Sequence, residues 1–113
     1  ESFQLGINSF MNINCNGKKL LVIGDMKELG NKSKKYHSDL GKYINNKQPN
    51  VVFSFGNLIY QTISQIKNKK IISQHFKTMD SLIDNLKSIL NKGDAIYLKA
   101  SRSMKFENII DKI

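Results

Sequence analysis

The stretch LVIGDMKELGNKSKKYHSDLGKYI, from Leu21 to Ile44, decides the fold. An apolar run, Leu20 to Ile23, ends at Gly24-Asp25. A compact polar loop follows to Gly30, and a helix-period pattern begins near Ser33 with Tyr36, Leu40, Tyr43 and Ile44 on one face. A strand, a loop and a helix in that order form the ligand-holding unit of parallel α/β proteins, because the loop lies at the carboxyl end of a strand. The loop lacks GxGxxG, so a dinucleotide site of the usual kind is not supported, and it lacks the GxxxxGK[ST] loop that holds ATP phosphates.

Outward from this unit, four short runs rich in β-branched or aromatic residues predict strands at Lys19–Gly24, Val51–Phe55, Lys70–Ser73 and Ala95–Lys99. Helical stripes lie between and after them: Ile59, Ile63 and Ile66; Met79, Leu82, Ile83, Leu86, Ile89 and Leu90; Phe106, Ile109, Ile110 and Ile113. Thr78 reads as an N-cap with Asp80 in the first turn, and Lys92-Gly93 as a helix C-terminus. A short amphipathic helix is expected around Ser9–Asn14. The alternation predicts a Rossmann-like, three-layer αβα domain with a mainly parallel sheet, right-handed crossovers and strand order 3-2-1-4. In that order strands 1 and 4 are neighbours, with their following helices on opposite faces. A crevice then opens between the loops at Asp25–Asn31 and Lys99–Ser103.

The chain has 113 residues, the size of one domain, and no apolar run approaches the roughly 20 residues that span a bilayer. It begins at Glu1 rather than Met, which suggests a piece of a longer protein. Cys15 is the single cysteine, so no internal disulfide is possible and a cytoplasmic setting is expected. The net charge of +9 comes almost wholly from lysine, Arg102 being the one arginine. Lys, Asn and Ile are the products of A/T-rich codons, which explains the charge without a function. The alternative is a small basic α/β binding module for RNA or another anionic partner, without catalysis. Arginine poverty weighs against it, since Arg is the preferred residue for bidentate phosphate and guanine contacts.

The first loop offers Asp25, Lys27 and Glu28. The second offers Lys99, Ser101 and Arg102 before an expected helix start at Ser103 or Met104. Two cations, a hydroxyl and helix amides make a carboxylate or phosphate receptor; the other reading is that the cations pair with Asp25 and Glu28 or face solvent. His37 follows the apolar Tyr36, and a lone helical histidine is more often a packing residue than a ligand. Gly41, on the same side, would let its helix lie close to the sheet. No His, Cys or carboxylate spacing for a metal is present.

GDMKELG at Gly24–Gly30, with His37 and Gly41 following, resembles the GDMxELG segment in the C-terminal domain of the Mur ligases that add D-alanyl-D-alanine to a peptidoglycan precursor. VVFSFG at Val51–Gly56 and GDA at Gly93–Ala95 fit the same family. LKASRSMKFENII at Leu98–Ile110 is similar to its VKGSR-x-M-x-M-E pattern, with Ala100 in place of a glycine. The family opens this domain with D-S-Y-N-A-N-P-x-S. Here ESFQLGINS, Glu1–Ser9, keeps an acid and two serines and lacks the tyrosine, both asparagines and the proline.

The resemblance implies a C-terminal domain, residues 1–113, of a multidomain bacterial cytoplasmic enzyme of peptidoglycan synthesis, and so of cell wall biogenesis, cell shape and division. It implies an ATP-dependent ligase in which UDP-N-acetylmuramoyl-tripeptide is phosphorylated on its carboxylate and D-alanyl-D-alanine attacks the acyl phosphate. ATP and Mg2+ would be bound mainly by a central domain, and this domain alone would be inactive. Carried over by position, Asp25, Met26, Glu28, Leu29, Lys99, Ser101 and Arg102 are the implied substrate-binding residues. His37 stands behind them, and Ser2, Asn8 and Ser9 lie toward the nucleotide.

Overall fold

A computed structural model describes residues 2–113, with side chains from Phe3 onward. Four strands, β1 (Lys19–Gly24), β2 (Val51–Phe55), β3 (Ile72–Phe76) and β4 (Ala95–Lys99), form one parallel sheet in the order β3-β2-β1-β4. The helices are α1 (Ser2–Met11), α2 (Ser33–Lys47), α3 (Tyr60–Ile63) and α4 (Met79–Ile89).

Alternation along the strands divides two cores. Leu21, Ile23 and Val52 point to one face, where Phe3, Ile7 and Phe10 of α1, Leu40 and Ile44 of α2, and Ile59 cover them. Leu20, Val22, Val51 and Phe53 point to the other, under Leu82, Ile83 and Leu86 of α4 and the C-terminal Phe106 and Ile109. Central β1 is buried along nearly its whole length, as a strand covered on both faces must be. The segments following β1 and β4 therefore lie on opposite faces, as the wound order requires. Among the described residues no helix is long and apolar enough to cross a membrane.

Several boundaries differ from the sequence expectation. The third strand runs Ile72–Phe76 rather than Lys70–Ser73. Its downstream end is drawn into the ladder because His75 hydrogen-bonds Ser54 at 2.7 Å and Phe76 packs edge-on against Phe53 at 4.9 Å. The first helix ends at Met11 instead of spanning Ser9–Asn14, since Phe3, Ile7 and Phe10 form the buried stripe. The Ile59–Ile66 stripe contains only one helical turn. The Asn45 side chain takes the Lys67 and Asn68 amides and turns the chain toward β3. Thr78 caps α4 as expected, accepting the Ser81 N–H at 3.1 Å. That helix stops at Ile89, however, so Lys92-Gly93 belongs to the next turn, where Gly93 has φ +96°. Gly41 faces α3 rather than the sheet: a β-carbon there would strike the Thr62 carbonyl.

Candidate functional site

Asp25 follows β1 directly and is 3% exposed. Its carboxylate accepts the backbone N–H groups of Asn57, Leu58 and Ile59, each at 2.9 Å. The charge is thus consumed in fixing the chain that leaves β2, and its oxygens occupy the space where Gly56, at φ +142°, would otherwise carry a side chain. The sequence reading offered Asp25 as a substrate contact. The structure places its carboxylate inward, as the tie between two strand ends.

Met26, half-buried, donates its N–H to His37 Nε2 at 3.2 Å, while His37 Nδ1 lies 2.8 Å from the Ser33 carbonyl. An accepting Nε2 carries no proton, so the proton is on Nδ1 and donates to Ser33. His37 is wholly buried, and its own carbonyl accepts the Thr62 hydroxyl at 2.7 Å. It positions the first loop through the backbone and does not face a ligand. Lys27 and Glu28 are exposed at the loop tip, with Glu28 in the left-handed region at φ +65°, and Leu29 is half-buried.

The two expected loops meet. The Ser101 N–H donates to the Asp25 carbonyl at 2.8 Å, and Ser101 Oγ accepts the Lys27 N–H at 2.7 Å. The Asp25 N–H points at Met104 Sδ, 3.1 Å away; Met104 stands at the first M of the second motif but was given no role from the sequence. Ser101 thereby ties the loops together. Lys99 ends β4 beside Ile23, half-buried, and Arg102 is exposed. Among the described residues neither cation is ion-paired, so the suggested pairing with Asp25 or Glu28 is absent.

No α-helix starts at Ser103 or Met104. Two short 3-10 segments, Arg102–Met104 and Phe106–Lys112, follow β4, broken at Lys105, which has φ +53°. The helix-terminal amides expected to contribute to an anion receptor are therefore not presented by an α-helix here. Lys99, Ser101 and Arg102 line a pocket of about 320 Å³ together with Leu98, Ala100, Phe106, Glu107 and Ile110. Glu107 was not singled out by sequence; its place in the second motif's final E was the signal available.

Of the amino-terminal residues, Ser9 is exposed, and Asn8 accepts a hydrogen bond from Lys47 at 2.6 Å. Lys47 ends α2, so Asn8 is anchored about 20 Å along that helix from the first loop, at 1.5 Å per residue. The Ser2 side chain lies outside the described residues. Among the described residues, no three His, Cys, Asp or Glu side chains are grouped as metal ligands.

Residues 1–102 match the family model described as Mur ligase, glutamate ligase domain. A UDP-N-acetylmuramoyl-tripeptide--D-alanyl-D-alanine ligase of Buchnera aphidicola (subsp. Baizongia pistaciae) is 42% identical over 88% of this chain and 21% of its own length. The ligase of the same name from Bacillus subtilis is 36% identical over 83% of this chain and 21% of its own. The crystal structure of MurF ligase from Thermotoga maritima in complex with ADP superimposes with a TM-score of 0.75 at 33% identity, covering 98% of this chain and 24% of that one. The chain thus spans about a fifth of the length of the curated relatives it matches. These relatives give no support to a nucleic-acid-binding module. By family match, identity and fold together, the chain belongs to the Mur ligases, as their C-terminal domain.

Proposed function

We propose that this chain is the acceptor-binding, site-closing domain of a cytoplasmic bacterial ligase that joins D-alanyl-D-alanine to UDP-N-acetylmuramoyl-tripeptide at the expense of ATP. The observation that carries the reading is the joined pair of loops. At the switch point between β1 and β4, two cations with no ion-pair partner among the described residues and a hydroxyl stand on a hydrogen-bonded support. The names of the relatives supply the substrates, and the ADP in the Thermotoga maritima structure supports ATP use. The other domains of such an enzyme would be parts of a longer chain of which residues 1–113 are one domain.

In the ligation, the tripeptide carboxylate becomes an acyl phosphate, and the dipeptide amine, freed of its proton, attacks the carbonyl. The C–N bond forms as the C–O bond to phosphate breaks and phosphate leaves. This chain's part is to hold the acceptor. Lys99 and Arg102 anchor its carboxylate by charge-assisted contacts, and Ser101 donates a further hydrogen bond. Met26, Glu28 and Leu29 form the facing wall, held from behind by Asp25 and His37. Ser2, Asn8 and Ser9 are on the helix nearest the amino end and would face the nucleotide only through a partner domain. The sequence lacks GxxxxGK[ST], and among the described residues no three His, Cys, Asp or Glu side chains are grouped to hold Mg2+.

The test is kinetic, in the complete ligase. Arg102→Ala or Lys99→Ala should raise KM for D-alanyl-D-alanine by roughly ten- to a hundredfold, the worth of a charge-assisted contact, while KM for the UDP-tripeptide moves far less. Equal weakening of both substrates, or of neither, would overturn the assignment. Residues 1–113 alone should release no phosphate from ATP above background.

A further inference from the structure

The pocket beside the second loop contains both signs of charge. Leu98, Ala100 and Phe106, all part of the core under α4, form its floor, and Ile110, 60% exposed, forms part of its rim. Lys99 and Arg102 contribute cations and Glu107 a carboxylate to the same space of about 320 Å³. Arg102 and Glu107 are exposed and Lys99 is half-buried, so all three charges can be reached from solvent. Among the described residues, Glu107 pairs with neither cation. Both signs of charge thus stand unpaired around one apolar-floored pocket.

A ligand that suits this arrangement has an anion at one end, a cation at the other and small apolar groups between. A zwitterionic dipeptide of alanine has that form. Its ammonium and carboxylate stand roughly 6 Å apart when extended, from standard backbone dimensions. Its two methyl groups would meet the apolar floor, and no other group on it needs a partner beyond the one peptide unit. A sugar nucleotide or a phosphate offers no cation for Glu107.

We infer that Glu107 is a specificity-determining residue of the acceptor site: it receives the free amino end of the dipeptide while Lys99 and Arg102 hold the carboxylate. This rests on the reading of the chain as the acceptor domain and adds direction to it. The dipeptide is read at both ends, so its amine is placed rather than left to swing about an anchored carboxylate. A blocked amine, which cannot be ligated, is also refused at binding, because it would leave the Glu107 carboxylate desolvated without a partner.

The experiment compares the complete ligase with its Glu107→Gln variant, using D-alanyl-D-alanine as substrate and N-acetyl-D-alanyl-D-alanine as a competitive inhibitor. Wild type should bind the acetylated analogue at least about tenfold more weakly than the free dipeptide. In Glu107→Gln, KM for the dipeptide should rise about tenfold or more, with the inhibition constant of the analogue, and KM for ATP and the UDP-tripeptide, changed by no more than about twofold. A merely structural role would weaken both dipeptides together. Glu107→Asp, which keeps the charge on a shorter arm, should fall between the two. Equal loss for free and acetylated dipeptide, or an unchanged KM, overturns the assignment of Glu107 while ligation by the wild type keeps the acceptor reading intact. Absence of ligation by the wild-type parent overturns the acceptor reading itself.

Discussion

The carboxylate of Asp25 fills the place that a side chain on Gly56 would need, and from there it binds three successive amides beyond β2. The end of one strand is thus locked to the end of its neighbour by a single acid, beneath the loops that carry the candidate site.

Gly56→Ala should therefore be destabilising on two counts, the positive φ and the collision with Asp25. The expected loss is about 1–3 kcal/mol, and a domain of this size loses about 4–8 °C of melting temperature per kcal/mol. Asp25→Ala should lose a similar amount by orphaning amide donors. The two effects should be non-additive in a double-mutant cycle followed by thermal melting, since both act on one contact. Additive losses would contradict the lock.

His37 should show the Nδ1-protonated neutral tautomer, because Nε2 accepts the Met26 N–H. Nitrogen-15 chemical shifts of the imidazole distinguish the tautomers directly. His37→Leu keeps the bulk and removes the acceptor. It should cost about 1–3 kcal/mol and speed amide exchange at Met26, leaving the β2–β3 ladder protected. Protonation at Nε2 would overturn the arrangement.

Burial holds the His75 pKa below its ordinary value, outweighing the attraction of the Asp25 charge. The folded state thus binds its proton less readily than the unfolded chain. The stability this contributes is complete above about pH 6.5, the unfolded value, and is lost as pH falls toward the folded one. Urea midpoints should decline between pH 7.5 and pH 5.5, and His75→Gln, which can still bond Ser54, should flatten the decline. An undiminished slope in the variant would place the dependence elsewhere.

Gly41→Ala should push α2 away from α3, since the new methyl meets the Thr62 carbonyl, a backbone atom that cannot rotate aside. Overpacking of this kind typically costs about 1–3 kcal/mol. Denaturant unfolding measures it, and a neutral result would mean that the α2–α3 seam is loose.

The fold was legible because β1 and β2 announce themselves as short runs rich in β-branched and aromatic residues and because βα alternation leaves few ways to wind a sheet. The meeting of the loops at Asp25 and Ser101 followed from that order alone. Edge strand β3 was misjudged because only one flank is paired, so Ile71-Ile72 looked like its centre when Ile72 is 62% exposed. The role of Asp25 was hidden for another reason. A carboxylate after a strand reads the same whether it faces a ligand or three backbone amides 32 to 34 residues away. Likewise the stripe from Phe106 to Ile113 fits helical spacing, yet Lys105 at φ +53° and a 3-10 winding leave Ile110 in the open.

Helix α1, near the start of the chain, rests on β4, near its end: Phe10 and Tyr97 have ring centroids 5.6 Å apart, and Tyr97 lies over Gly6. Central β1, too, receives one of its two neighbours only when β4 is made. During synthesis the ribosome therefore releases Phe3, Ile7 and Phe10 long before the β4 part of the surface that covers them exists. At about 5–20 residues per second that wait is on the order of ten seconds. The nascent domain must pass that interval with a partly uncovered apolar helix and a half-paired central strand, and it is completed only when the second site loop has emerged.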